Sequence, residues 1–368
     1  MKSVLYGVLL PLMCCAVALG AMEFPHYPES INAVRYTDRC PDQVNVFVAP
    51  PPYTVAVGFR ALIFKPSTTN LSYAVEAVPL PAPSPHWNIF AVHPGYHFGF
   101  DLDLHIVCPA NGLSALVRWE HFNSSSTDSH VVGTDNMVGP FFEIGPDALP
   151  YTQTQGTIDF SFNMANLTVG QYIYIGSCVE SMLSIGASVA RIKERVLSRF
   201  SNEEETVVRT INVPITFTGA GPYFNVDFSY TLFRELALKA SLSTSVLVGR
   251  LKNNTTFQAF SPALAELGIT PPNTQTVSVQ TATQVVPAIE ERIGFAYYLS
   301  FCNQRWLKLE AGYEAKVYFN ALQSIDIGSE VITPPVTPDT VGVYARTFHR
   351  TLSNFSLSGP YVALSMEF

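Results

Sequence analysis

The last eight residues of the chain alternate. Val362, Leu364, Met366 and Phe368 share one face of an extended segment, and Ala363, Ser365 and Glu367 share the other. Successive side chains of a strand point to opposite faces, so this period of two predicts a strand with one apolar face that ends in an aromatic ring. The same period starts at Thr54, where Val55, Val57, Phe59, Ala61 and Ile63 oppose Ala56, Gly58, Arg60 and Leu62. Over Tyr96 to Val107, Tyr96, Phe98, Phe100, Leu102, Leu104 and Ile106 alternate with His97, Gly99, Asp101, Asp103, His105 and Val107. That run is long for a strand of a soluble sandwich and natural for a tilted strand that crosses a membrane.

Further segments repeat the pattern over Gly112 to His121, Thr157 to Leu167, Met182 to Ile192, Phe224 to Leu232, Leu236 to Ser243, Ile293 to Phe301 and Leu307 to Phe319. Arg234-Glu235 and Cys302-Asn303-Gln304-Arg305 read as tight turns, and Asn123 to Asp128 as a Ser-rich polar turn. The Pro- and Ser-rich stretches Pro66 to Pro85, Leu251 to Thr276 and Asn320 to Asp339 read as long external loops, with a short helix over Ala259 to Leu267. Ala21 to Tyr53 reads as an irregular segment, being rich in proline up to Pro50-Pro51-Pro52. Residues 54–368 are therefore expected to form an all-β, transmembrane antiparallel barrel of about 14 strands (12–16) with long external loops.

The other end of the chain supports export. Lys2 precedes an apolar run from Val4 to Leu19, and Ala18-Leu19-Gly20 suits a signal peptidase, which places a signal peptide over residues 1–20. Composition narrows the class further. Hydrophobic residues make up 48% of the chain and charged residues only 14%, about half the charge of an ordinary soluble surface. No later apolar run reaches the ~20 residues of a spanning helix, so the apolar content belongs to strands. The 17 Tyr and 25 Phe suit the aromatic girdles of a barrel. Phe100, Phe228, Phe295 and Tyr313 are expected to face lipid. The net charge of −8, without any basic block, excludes nucleic acid as a partner.

Isolated charges fall on the faces opposite the apolar ones. Arg60, Asp101, Asp103, Arg118, Glu120, Asp227, Lys239, Lys308, Glu310, Glu314 and Lys316 would each be costly in hydrocarbon, so they are expected to face inward and line a pore. Salt bridging across a packed interior is the alternative for the same set. Both signs occur, so no strong ion selectivity follows. No metal or other cofactor is expected. His97 and His105 stand too far apart along one strand to share an ion, and Asp103 with His105 lacks further ligands. No enzyme is expected either, since His97 or His105 with Ser114 is conceivable as the start of a nucleophilic constellation but nothing marks a nucleophile. Cys40, Cys108, Cys178 and Cys302 lack metal-ligand spacing and allow three disulfide pairings.

Several segments resemble the major outer membrane protein family of Legionella and Chlamydia-like bacteria. Val57-Gly58-Phe59-Arg60-Ala61-Leu62-Ile63-Phe64-Lys65 is similar to its first strand, with Ile63-Phe64 in place of the usual Tyr-Trp. Pro94-Gly95-Tyr96-His97-Phe98-Gly99 is similar to a strand entry, and Gly221-Pro222-Tyr223-Phe224-Asn225-Val226-Asp227 to the central strand. Phe301-Cys302-Asn303-Gln304-Arg305 is similar to a late turn, and Ser358-Gly359-Pro360-Tyr361 leads into the closing strand. The resemblance implies a pore-forming, cysteine-containing protein on the bacterial surface.

The expected function is that of a porin-like protein of the bacterial outer membrane, which admits ions and small polar solutes by diffusion. Its partners would be outer-membrane lipid, the barrel assembly machinery, with Phe368 as the assembly signal, and small polar solutes. Self-association and disulfide cross-linking are open to it. Two alternatives compete. One is a structural or adhesive barrel with a plugged interior. The other is a secreted soluble β-sandwich, which the sequons at Asn70, Asn123, Asn166, Asn254 and Asn354 would suit.

Overall fold

The computed structural model describes residues 54–77, 87–108, 112–132, 137–140, 151–175, 178–202, 207–233, 235–259, 273–301, 305–337 and 340–368. The expected signal peptide and irregular segment, and most of the short helix expected over Ala259 to Leu267, lie outside these residues.

Thirteen strands are described, and ten of them close a barrel. The barrel strands are β1 (Thr54–Thr68), β4 (His97–Cys108), β5 (Leu113–Val131), β7 (Gln153–Ile175), β8 (Val179–Ser201), β9 (Val207–Thr231), β10 (Leu236–Ala259), β11 (Asn273–Phe301), β12 (Arg305–Thr337) and β13 (Thr340–Glu367). All neighbours are antiparallel. The three others, β2 (Ser72–Ala77), β3 (Trp87–Ala91) and β6 (Met137–Pro140), form a separate small sheet in the order β3-β2-β6. The total agrees with the expected number of extended segments, but fewer of them enclose the interior. The reason is strand length. Asn320–Thr337 belongs to β12 and Leu251–Ala259 to β10, so much of what reads as external loop extends the hairpins. Asn123 to Asp128 likewise lies within β5 and not in a turn.

Closure pairs the first strand with the last. Ala56 lies opposite Glu367, Phe59 opposite Leu364, and Thr68 opposite Phe355. The Phe368 N–H donates to the Val55 carbonyl at 2.8 Å, and the Val55 N–H donates back at 3.3 Å. The start of β1 and the C-terminal residue therefore sit at one rim. That rim also carries the short connections, such as the β9–β10 turn, where the Leu232 and Phe233 N–H groups both donate to the Leu236 carbonyl. In outer-membrane barrels the short turns face the periplasm, so the opposite rim faces the exterior.

A membrane band about 25 Å tall takes only ten or so residues of a tilted strand. The outward faces near the periplasmic rim supply that band. Val57, Phe59, Ile63, Leu102, Leu104, Leu183, Ile185, Val189, Phe224, Val246, Val248, Phe295 and Leu364 are all exposed there. One outward carboxylate, Glu291, stands between the exposed Ile289 and Ile293, where charge facing lipid costs free energy.

Above the band the two faces exchange character. On β7, Ile158, Phe160, Phe162 and Met164 turn inward and are buried, while Asp159, Ser161 and Asn163 turn outward. The sequence pattern, read alone, would assign that apolar face to lipid. The pattern is correct and the side is reversed, because this part of the strand stands in water and packs a core. The same core takes Phe122, Ile192, Phe200, Phe217, Leu251, Phe257 and Phe355 from the barrel, and Tyr73, Ala74 and Val138 from the small sheet. The sheet thus seats against the outer mouth. Gly156 shows how closely, since a Cβ there would meet the Tyr73 ring at 2.5 Å.

Among the cysteines, Cys108 is a free thiol and Cys178 is disulfide-bonded. Cys40 and Cys302 lie outside the described residues.

Deleting Phe368 removes the last pair of closing hydrogen bonds and an outward ring that is 56% exposed, but no core packing. The deletion is expected to lower the heat-modifiable, membrane-inserted fraction severalfold while leaving protease-sensitive chain behind. Normal insertion would show that the ring is only an apolar tail.

Candidate functional site

The inward charges of the membrane-level strands converge at mid-height. Arg118 of β5 is the hub. Its Nε lies 2.5 Å from Asp101 Oδ2, and its Nη2 lies 3.2 Å from Glu120 Oε2 and 3.1 Å from Glu314 Oε1. Arg60 of β1 reaches Asp101 at 2.8 Å and Glu314 at 3.6 Å. From β12, Lys316 pairs with Glu120, with Glu314 at 2.9 Å and with Glu290 at 3.7 Å. Asp101, Glu120 and Lys316 are wholly inaccessible to solvent. The cluster therefore joins β1, β4, β5, β11 and β12 across the barrel axis. It is not a row of water-lined pore charges.

Aromatic rings sit directly on this cluster. Lys316 Nζ stands 5.9 Å from the ring centres of both Phe64 and Phe162. Phe162 packs on Tyr318 at 5.4 Å and on Phe355 at 6.0 Å, and Phe64 packs on Phe122 at 6.0 Å. Tyr318 donates its hydroxyl to Glu290 Oε1 at 3.0 Å, which ties the aromatic layer to the charges below. The layer continues upward into the apolar core.

Below the cluster, toward the periplasmic rim, the interior is polar and partly open. A cavity of about 160 Å³ is bounded by Asp103, His105, Glu180, Asp227, Lys239 and Lys308, among others. That volume has room for on the order of ten waters. Arg292 lies 3.5 Å from Asp227 and 3.9 Å from Glu310, and Lys308 lies 3.1 Å from Glu310. Tyr361 donates to Glu310 at 2.7 Å, while Arg60 stacks 5.3 Å from the same ring.

The residues expected at a pore thus divide into two groups. Arg118, Glu120, Asp101, Glu314 and Lys316 form the buried cluster, with Arg60 at its lower edge. Asp103, Asp227, Lys239, Lys308 and Glu310 border the cavity. Sequence reasoning missed Glu290, Arg292, Tyr318 and Tyr361. The two charges were legible. Counting back from the outward Phe295 and Ile293 puts Arg292 and Glu290 inward, but the run Glu290-Glu291-Arg292 hides the alternation. The two tyrosines are single rings on inward faces that otherwise carry charges and small residues, with Glu314 and Lys316 before Tyr318 and with Ala363 and Ser365 after Tyr361. His97 contacts Ser126 Oγ at 3.3 Å, whereas His105 lines the lower cavity, so the two stand apart. Ser114 Oγ donates to Met182 Sδ at 3.3 Å.

One further ionisable group lies in the apolar core above the membrane band. Glu194 of β8 follows the first outward cation, Arg191, by three residues and is 1% exposed. Its Oε1 accepts a long 3.4 Å bond from Asn70 Nδ2, and its Oε2 has no hydrogen-bond partner. Burial pushes its pKa up to about 8, and the bonds from Asn70 and Thr68 only partly oppose that.

The model of the Legionella pneumophila major outer membrane protein precursor family matches residues 51–368. No curated protein matches the chain. Among solved structures, the chain is similar to the outer membrane protease OmpT of Escherichia coli at 11% identity, with a TM-score of 0.40, covering 88% of this chain and 98% of that one. It is similar to the Pseudomonas putida toluene transporter TodX at 11% identity, with a TM-score of 0.32, covering 87% and 90%. A Pseudomonas aeruginosa FadL homologue gives 7% identity and a TM-score of 0.23, covering 86% and 90%.

Two outcomes follow from this geometry. Lys316→Met leaves Glu120, Glu290 and Glu314 short of a buried cation, and should cost about 3–5 kcal/mol. Adding Glu120→Gln should recover much of that loss. Urea unfolding of the folded barrel, read by gel mobility, measures both. The second outcome concerns pH. The folded-state pKa of Glu194 lies above its ordinary value of 4.5, so the native state holds a proton that the unfolded state gives up. The contribution is therefore intact below pH ~4.5 and falls as pH rises toward ~8. Glu194→Gln should remove this decline. Unfolding midpoints that fall in parallel for wild type and variant would contradict it.

Proposed function

We propose that this chain, which belongs to the Legionella pneumophila major outer membrane protein family, is a gated channel for ions and small polar solutes, held shut in the conformation described here. The protein is a surface-exposed β-barrel of the outer membrane. The observation that carries the channel reading is the polar column inside it. A cavity on the periplasmic side borders a charged cluster whose ion pairs are not all hydrogen-bonded. Arg60 Nε, Asp101 Oδ1, Glu120 Oε1, Glu290 Oε2 and Glu314 Oε2 are buried without a hydrogen bond.

A permanent plug has no need of such groups. Apolar side chains of similar volume fill a buried space at equal or lower free energy than an ion network. An incompletely satisfied network also has alternative partners within reach. Lys316 faces three carboxylates and Arg118 four, so exchanging partners costs less than separating charges. Rearrangement of the cluster together with the rings of Phe162, Tyr318 and Phe355 would join the lower cavity to the outer mouth.

A second reading, a structural barrel without conductance, is favoured by one observation. The aromatic layer is continuous with the packed core of the protruding half.

Planar-bilayer recording separates the two. Wild type should be mostly silent with brief, discrete openings. Phe162→Ala with Phe355→Ala should lengthen or enlarge those openings, because the rings that close the column are removed while the cluster remains. Heat-modifiable mobility checks that the variant is folded. Folded wild type and folded variant that both stay silent would sink the channel and leave the structural barrel.

A further inference from the structure

The outward face of the barrel carries a concentration of positive charge at one height and on one side. On β8 the exposed apolar series Leu183, Ile185 and Val189 passes directly into Arg191, Lys193, Arg195 and Arg199. Two strands away, on β10, Val246 and Val248 pass directly into Arg250 and Lys252. Between them runs β9, with Thr218 opposite both Arg191 and Arg250, and Thr216 opposite both Lys193 and Lys252. Neighbouring strands lie about 4.8 Å apart, so the two basic ladders stand roughly 10 Å apart across a threonine floor. On other strands the first outward positions past the apolar band are mostly uncharged, as with His121 on β5, Asn163 on β7 and Thr283 on β11.

Among the described residues these charges have little to satisfy them. Arg195 donates to Asn212 Oδ1 at 2.9 Å, and Arg199 donates to Gln155 Oε1 at 3.3 Å. No ion pair within 4.0 Å involves Arg191, Lys193, Arg250 or Lys252 among the described residues. Among the described residues, the acidic neighbour on the outer face is Asp159, opposite Arg195, and it accepts a 2.6 Å hydrogen bond from Ser125. Like charges held this close repel one another unless an external anion lies between them.

We propose that Arg191, Lys193, Arg250 and Lys252, set around Thr216 and Thr218, are a docking surface for phosphate-bearing lipid headgroups of the outer leaflet. Three features fit that occupant. The cations begin where the apolar band ends toward the exterior, which is headgroup level. Cationic side chains and hydroxyls are donors suited to phosphate oxygens. The band below offers a seat for acyl chains, since Ala220 lies opposite both Val189 and Val248 and forms a shallow furrow between them. A soluble acidic partner would use the charges but not the furrow.

The test uses the full barrel, purified in a neutral detergent and reconstituted into nanodiscs of phosphatidylcholine with a minor fraction of phosphatidylglycerol. Native mass spectrometry counts the lipids retained. Wild type should retain the anionic lipid at least roughly fivefold above its bulk fraction, the factor that one surface cation contributes. Arg191→Gln, Lys193→Gln, Arg250→Gln and Lys252→Gln together should abolish the enrichment, while Arg195→Gln with Arg199→Gln should leave most of it. If the quadruple variant fails to show heat-modifiable mobility, the β8 pair and the β10 pair are tested separately, and each should reduce enrichment. No enrichment in wild type, or full enrichment in the folded variants, overturns the proposal. Loss of enrichment on adding inorganic phosphate would identify a site for free anions and overturn the lipid assignment.

Discussion

Each long strand of this barrel passes through two solvents while its side chains keep a period of two. The period is geometric and cannot change, so the face that must be apolar changes instead. In the membrane band, hydrocarbon surrounds the barrel and charge must turn inward. Above the band, water surrounds it, and ordinary burial puts the apolar side chains inside. On β5 the exchange takes place within a few residues. Arg118 and Glu120 face in opposite an outward Trp119, and then Phe122 faces in opposite outward Asn123 and Ser125. The belt, the buried cluster, the packed outer core and the small sheet on the mouth all follow from that exchange.

The cluster is the costly part. Charges excluded from lipid could have faced a wide aqueous lumen. In a ten-stranded barrel they meet each other across the axis instead, because the enclosed space is nearly filled by side chains. Glu120 and Lys316 stand 196 residues apart in sequence and pair directly. Such pairs do little for net stability, but loss of one partner leaves a buried charge uncompensated. The rings of Phe64, Phe162 and Tyr318 then separate this polar level from the apolar core.

Much of this was legible in the sequence. The outward faces of β1, β4, β9, β10 and β13 follow from alternation, as do the inward positions of Arg60, Asp101, Arg118, Glu310 and Lys316. So does the closing partnership of the last strand with the first. What misled was polarity used as a marker of turns. Asn123 to Asp128 looks like a loop because its outward residues are hydrophilic, yet it is strand that has left the membrane. The same confusion shortened β10 and β12 and raised the number of strands expected to enclose the interior. It also left Phe160 and Phe162 on what looked like the lipid side.

The sequence by itself determined the alternation, the all-β class, the outer-membrane setting and the segregation of charge from the apolar faces, because each depends on residues a few positions apart in one chain. Only the tertiary structure decided where along each strand the surroundings change, how many strands share the circumference, and which charges meet. Register across the barrel sets those, and register joins residues such as Arg60, Arg118 and Glu314 that no local pattern relates. Whether an inward charge meets water or another charge depends on the width of the space it enters, and that width exists only once the sheet has closed.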